Sequence, residues 1–371
     1  MSIYVPLLFK YRQQTSVFLK LVSTVIVCLD LQFFKKIFHK YKLFEMKRKL
    51  RIGTDCSGIE APIQALQKKN ISFLHLWSSD IDPMVRKSIL GNYNPNVLYE
   101  NICERNHKTL PKIDLYFAGF PCQSFSTLGK RKGLNDERGN IFYECIQTIS
   151  HSCPTVFILE NVKGLMNHDQ GRTFKHIQNV LSKLKVHGKK YNVYYKLLNT
   201  RNYNIPQNRE RIYIVGILEN HEKKPFEFPK PIPLKKKIKS FLEKKIPQTK
   251  LEKLKFLTNH KKNLLQSFFL KKNVESNHHW FLNLNVSSIQ RTGARKDICP
   301  CLLAGEGGNC TFYLTSVGRK LTPREYLRLQ GFSNNFKIVV PERFIYKQVG
   351  NSMSVNVLVH LFQSLEKSIK W

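Results

Sequence analysis

Cys122 stands in the stretch IDLYFAGFPCQSFS (residues 113–126), behind an apolar run that Gly119 closes and Pro121 stiffens into a turn. A thiol held on a turn at the carboxyl end of a strand can stay partly exposed and ionise to the nucleophilic thiolate. A single cysteine is more often a small core filler, so this reading depends on what else lies at strand ends. Glu160, in Glu160-Asn161-Val162, ends the apolar run 155–159 and offers a carboxyl group for acid–base work. Asp80 ends the run 73–79, 22 residues after Gly58 of the turn Asp55-Cys-Ser-Gly-Ile-Glu60. An acid so placed can hold a ribose diol while the Gly turn lets a ligand approach the helix N-terminus. Asp82, just before Pro83, reads instead as a helix N-cap. Arg209 and Arg211, in Gln207-Asn-Arg-Glu-Arg211, point the same way if the segment is extended. They then suit a phosphate or a base edge, or else form a salt-bridged surface pair.

These groups need a scaffold of alternating strands and helices. Apolar runs predict strands at 50–54, 73–79, 97–99, 113–118, 155–159, 191–198 and 212–217. Helical spacing predicts helices at 61–68, 140–150, 173–184 and 355–365, with others opening at Pro83 and at Thr322-Pro323. The loop 130–138 carries four basic residues and could fold over a polyanionic substrate, or be an ordinary solvated loop. The rhythm breaks after residue 218. Between Glu219 and Asp297 there are 19 Lys+Arg and 7 Asp+Glu, a charge of +12 (19 − 7). We therefore expect four parts: an N-terminal extension at 1–46, a catalytic domain at 47–218, a small variable domain at 219–315 and a returning segment at 316–371. The strand-like run directly after Met46 favours reading 1–46 as lying upstream of a second start.

The whole chain of 371 residues carries +35, which predicts attraction to polyanions, with nucleic acid ahead of an anionic membrane surface. The longest uncharged apolar stretch, 21–29, is too short to span a bilayer. Nine unevenly spaced cysteines point to a reducing, intracellular setting rather than a disulfide framework. Cys299, Cys301 and Cys310 lack the paired spacing of a zinc site, so no metal is expected.

Taken in order, these motifs resemble those of the C5-cytosine DNA methyltransferases. The resemblance rests on GFPCQSFS at 119–126, ENV at 160–162, QNRER at 207–211, REYLRLQGF at 324–332 and QVGNS at 348–352. It covers roughly residues 50–218 and 315–371. It implies an α/β fold, a doubly wound Rossmann-like sheet that binds S-adenosylmethionine, with a smaller, basic target-recognition domain in the Lys-rich block. It also implies a stand-alone, monomeric enzyme acting on double-stranded DNA, away from membranes.

The resemblance further implies roles. Cytosine C5 is a poor nucleophile until a thiolate adds to C6, and Cys122 would be that thiolate. Glu160 would protonate N3, which requires a carboxyl group kept partly protonated by burial. Arg211 would contact the cytosine O2, with Arg209 in support. The base must be flipped out of the duplex, with loop 130–138 closing over it. Gln123, Ser126, Arg138, Gln207, Arg291 and Arg295 would contact the substrate. For the cofactor, Cys56, Gly58 and Ile59 would line the methionine part, Asp80 and Ile81 the ribose, and Asn101 and Ile102 the adenine. Asn351 and Ser352 would complete that pocket. The sequence departs from the family pattern in Cys56-Ser-Gly-Ile-Glu60, where Phe-x-Gly-x-Gly is usual, and in Asp80 for Glu and Asn101 for Asp. Two alternatives are the tRNA-methylating branch of the family, whose Pro-Pro-Cys-Gln and Cys-Phe-Thr signatures are absent here, and a non-catalytic DNA-binding homologue.

Overall fold

A computed structural model describes residues 48–121, 141–273, 278–304 and 312–371. The chain divides into Met1–Arg48 and a second compact unit, Lys49–Trp371, to which everything below refers. Its centre is an eight-stranded sheet. The strands are β1 (Leu50–Asp55), β2 (Phe73–Ser79), β3 (Val97–Tyr99), β4 (Leu115–Ala118), β5 (Val156–Val162), β6 (Lys185–Val186), β7 (Lys189–Asn199) and β8 (Glu210–Leu218). Their order is β3-β2-β1-β4-β5-β8-β7-β6. The first five strands are parallel, and β8 then runs antiparallel to both β5 and β7.

The parallel strands are apolar on both faces because helices cover both. Along β4, Leu115 and Phe117 enter one core while Tyr116 and Ala118 enter the other. On β5, Val156 and Ile158 alternate in the same way with Phe157 and Leu159. The first core is closed by α1 (Ala61–Lys68) and by the late helices, the second by α3 (Ile141–Ser152) and α4 (Arg172–Lys183). Between them in sequence lies α2 (Pro83–Asn92), capped by the Asp82 side chain, which accepts from the Met84 N–H at 2.9 Å. The doubly wound sheet expected from the sequence is present.

The Lys-rich block holds α5 (Gln248–Lys255), α6 (Asn259–Lys272) and three strands of a second, antiparallel sheet whose last strand falls in the returning segment 316–371. Its strands are β9 (Trp280–Asn283), β10 (Arg295–Lys296), β11 (Phe312–Leu314) and β12 (Arg319–Lys320), in the order β10-β9-β11-β12. Leu257, Leu264, Phe268, Leu282, Leu284 and Tyr313 form a small core of its own. Phe281, Phe312 and Leu314 instead join the core beneath the large sheet.

Three helices then return to the first core: α7 (Pro323–Leu329), α8 (Glu342–Asn351) and α9 (Val355–Ser368). Thr322 and Glu325 form a reciprocal capping box on α7, as the Thr-Pro start implied. The QVGNS segment is itself the last turn of α8, with Ser352 as its C-cap. On α9, Phe362 meets Phe117 of β4 edge-to-face at 5.7 Å.

Candidate active site

Parallel strands deliver their carboxyl ends to one edge of a sheet, where a ligand can sit. Here Asp55 ends β1, Ala118 ends β4, and Glu160 lies near the end of β5. The antiparallel β8 brings its amino end to the same edge, so Arg211 pairs with Val162 across the β5–β8 ladder. That reversal explains how arginines at the start of one strand join residues at the ends of others. Gly119 marks the meeting point: a Cβ there would lie 3.9 Å from Glu160 Oε2 and 4.0 Å from the Cys56 carbonyl oxygen. The Asn161 amide donates to the Phe120 carbonyl at 3.2 Å, tying the Phe-Pro turn after β4 to the end of β5.

Glu160 is buried, at 7% exposure, and Arg211 Nε lies 3.4 Å from its Oε1. That oxygen accepts no hydrogen bond among the described residues. Burial pushes the Glu160 carboxyl above its usual range, and the charges of Arg211 and Arg209 pull it back. A neutral carboxyl group in such a place can give a proton to a ring nitrogen.

Arg209 is fully enclosed. Its Nη1 donates to the carbonyls of Leu302 (3.0 Å) and Gly350 (3.1 Å), and its Nη2 to that of Ser352 (2.7 Å). It thus joins the start of β8 to the 301–304 segment and to the end of α8. Gly350 permits this junction, since a Cβ there would meet the Leu303 carbonyl carbon at 2.2 Å. Desolvation lowers the Arg209 pKa, and Arg211 adds to the effect. The Cys301 sulfur lies 3.6 Å from Arg209 Nη1 and 3.7 Å from Arg211 Nη2.

The turn between β1 and α1 is strained into the left-handed region at Cys56, Gly58 and Glu60 (φ 47°, 53° and 58°). Open space lies beside Gly58, with nothing within 4 Å of a Cβ built there. The Gly58 N–H donates to Asp80 Oδ2 at 2.9 Å and the Asp82 N–H to Asp80 Oδ1 at 3.0 Å. Each carboxylate oxygen keeps acceptor capacity for a diol. Burial raises the Asp80 pKa to about 6 against those two backbone bonds. Ile81 is 73% exposed and offers a flat apolar surface next to Asp80. The side-chain oxygen of Asn101, Oδ1, accepts from the Cys103 N–H at 3.0 Å and retains a second lone pair. An open glycine turn, a carboxylate at the next strand end and an exposed apolar side chain fit the methionine, ribose and adenine parts of S-adenosylmethionine.

Other expected residues behave differently. Ile59 and Ile102 are core side chains, so a ligand could meet them only through their backbone. The Ser352 hydroxyl donates to the Met353 carbonyl at 3.1 Å, whereas Asn351 is exposed. Gln207 corrects its expected substrate role. It is fully buried, and its amide nitrogen donates to the Leu329 carbonyl and to Gln330 Oε1 at 2.7 and 2.8 Å. It holds the end of α7 instead. Arg291 and Arg295 are exposed on the Lys-rich block. Cys122, Gln123, Ser126, Arg138 and the loop 130–138 lie outside the described residues.

Sequence reasoning missed a buried network directly beside the turn between β1 and α1. Asp55 accepts from both terminal nitrogens of Arg105, from Tyr116 Oη (2.8 Å) and from Trp77 Nε1 (3.3 Å). An acid at a strand end and an arginine 50 residues later carry no local signal of pairing. The sequence raises Cys301 only as a zinc ligand to be dismissed, and its approach to the two arginines comes from the fold.

Comparison with known proteins gives the family of the chain. Residues 55–367 match the C-5 cytosine-specific DNA methylase family. The Type II methyltransferase M.SsoII of Shigella sonnei is 35% identical over 289 residues, covering 76% of this chain and 71% of that protein. The Type II methyltransferase M.HaeII of Haemophilus aegyptius is 35% identical over 317 residues, covering 84% and 90%. In fold, the chain resembles the Dnmt2 methyltransferase of S. pombe, with a TM-score of 0.57 at 19% identity over 86% of this chain and 99% of that one. Spodoptera frugiperda DNMT2 gives a TM-score of 0.59 at 18% identity, over 86% of this chain and 100% of that one. With a family match spanning most of its length, and relatives 35% identical over three quarters of it or more, this chain belongs to the C-5 cytosine-specific DNA methylases and is a DNA cytosine methyltransferase.

Proposed function

We propose that the chain methylates C5 of a cytosine flipped from duplex DNA, with Cys122 as nucleophile and Glu160 as acid. The observation that carries this is Glu160: buried, facing Arg211, and with one oxygen making no hydrogen bond among the described residues. Addition of the Cys122 thiolate to C6 forms the S–C6 bond and moves an electron pair towards N3, where the Glu160 carboxyl group delivers its proton. Arg211 then faces the O2 edge of the base and also limits how far burial can raise the acid. S-adenosylmethionine, when bound, supplies the methyl group that C5 receives. Loss of the C5 proton and departure of the Cys122 thiolate restore the aromatic ring. Gly58, Asp80, Ile81 and Asn101 would hold the cofactor, by turn backbone, carboxylate, apolar surface and amide carbonyl respectively.

The division of labour we favour keeps 47–218 and 316–371 for catalysis and cofactor binding, and 219–315 for reading the target. The +12 charge between Glu219 and Asp297 and the separate small core support that division. The names of the relatives support placing the enzyme among type II modification enzymes of restriction–modification systems. The decisive experiment is bisulfite sequencing of DNA from a host expressing the chain, with Cys122→Ser as control. Protection within one short motif, absent in the control, is expected. Incubation with DNA, tRNA and labelled cofactor completes it: label in tRNA alone would overturn the DNA reading, and label in neither would favour a non-catalytic binding protein.

A further inference from the structure

Away from Glu160, an open cavity of about 770 Å³ lies between the end of α1, the segment 236–245 and the end of α7. Lys68, Lys236, Lys244, Lys245 and Arg328 line it, and Glu243 is the only acidic residue among its walls. None of the five cations is within ion-pair distance of a carboxylate among the described residues. Glu243 offsets one of these charges and leaves the walls at +4 (5 − 1); its carboxylate also accepts from the Thr322 hydroxyl.

Two of the cations are held in place. Arg328 donates through Nη1 to the Leu242 carbonyl at 2.8 Å and through Nε to Asn334 Oδ1 at 2.9 Å. Lys68 Nζ donates to Asn356 Oδ1 at 2.9 Å. Desolvation of that ammonium group, and then the charge of Lys236, hold Lys68 below the usual lysine range. Cations in such excess around one cavity repel each other, and a multivalent anion placed among them relieves that repulsion. Three flexible ammonium groups and one fixed guanidinium suit the several acceptor oxygens of phosphate better than a single carboxylate.

We propose that this cavity is a phosphate-binding site separate from the methylation site, taking either backbone phosphates of nucleic acid or a free polyphosphate. The site needs no methyl transfer, so its success or failure is independent of the activity above.

The test uses the full chain and sodium tripolyphosphate, measured by isothermal titration calorimetry. The variant Lys236→Gln/Lys244→Gln/Lys245→Gln removes three cations from the cavity wall. Lys185→Gln/Lys189→Gln/Lys190→Gln removes the same charge from exposed positions outside it. Tripolyphosphate should bind the wild type and the control alike and the cavity variant at least tenfold more weakly. No binding to the wild type, or equal affinity in the two variants, overturns the proposal. Duplex DNA then separates the sources. If DNA backbone is the ligand, the salt dependence of binding in the cavity variant becomes shallower by about 0.9 for each phosphate the variant no longer neutralises, and more so than in the control. If a free polyphosphate is the ligand, the two variants bind DNA equally.

Discussion

Arg105 grips Asp55 through both terminal guanidinium nitrogens, inside the protein and directly before the turn between β1 and α1. The pair joins the end of β1 to the segment after β3, so it fixes Cys56–Gly58 relative to Asn101. Arg105 also lies over the rings of Trp77 and Tyr99, 5.8 and 5.2 Å from their centroids. Removing one partner of a buried pair strands the other charge, which costs roughly 3–5 kcal/mol. Arg105→Ala should therefore lower unfolding free energy in urea by about that amount. Adding Asp55→Asn should recover part of the loss, since the stranded carboxylate is gone. A single mutant as stable as the wild type would show that the pair does not hold this turn.

Glu160 should impose a limb on the pH–rate profile. Burial raises its pKa while Arg211 and Arg209 oppose the rise, so the acid form persists further towards neutrality than in an ordinary glutamate. In the proposed role the acid form protonates N3, so single-turnover methylation should fall as pH rises through that pKa. Glu160→Gln keeps the shape but has no proton to deliver. A loss of roughly 10²–10⁴-fold in rate, with the limb abolished, is expected. An unchanged profile would remove Glu160 from the proton path.

Asp80 titrates on the other side of binding. Its pKa is raised to about 6, so without ligand the protonated form is favoured by folding. Stability of the ligand-free protein should decline as pH rises from the ordinary aspartate range to about 6, and level off above it. Ribose hydroxyls donate to the ionised form, so cofactor affinity should instead weaken as pH falls through about 6. Titration calorimetry between pH 5 and 8 checks both the trend and its loss in Asp80→Asn.

Cys122→Ser should abolish turnover while leaving DNA affinity within a few-fold of wild type, because the thiolate serves chemistry rather than docking. Equal loss of affinity and turnover, measured by gel shift beside a methylation assay, would make Cys122 structural.

The strand–helix rhythm up to residue 218 is legible because the large sheet is buried on both faces, which leaves unbroken apolar runs such as Leu115–Ala118. Glu160 and Asp80 are legible for the same reason, as charges at the ends of such runs. The Lys-rich block is not, because β10 and β12 are two residues long and β11 three, too short to show a period. Gln207 misleads because the run that follows it, Asn208 to Arg211, is polar, whereas its partners in space are at the end of α7. The pairing of Asp55 with Arg105 depends on strand order, which local pattern does not encode.

Arg209 and Arg211, two residues apart, should fail in different ways when changed to Lys. Arg209 is buried, and its three carbonyl partners, Leu302, Gly350 and Ser352, join separate segments. A lysine has one nitrogen in place of this fork: set where Nη1 lies it can still serve Leu302 and Gly350, but the Ser352 carbonyl then loses its donor, at a cost of about 1–3 kcal/mol. Arg209→Lys should lower the thermal midpoint and reduce activity together. Arg211 is half-buried at the edge of the site, with Glu160 3.4 Å away. Arg211→Lys keeps the positive charge but loses the planar fork that would face a base edge. Its thermal midpoint should stay within a few degrees of wild type while the single-turnover rate drops at least tenfold. If both variants lose stability alike, Arg211 is a second structural clamp. If both keep stability and lose rate, the junction around Arg209 has slack that its buried hydrogen bonds do not imply.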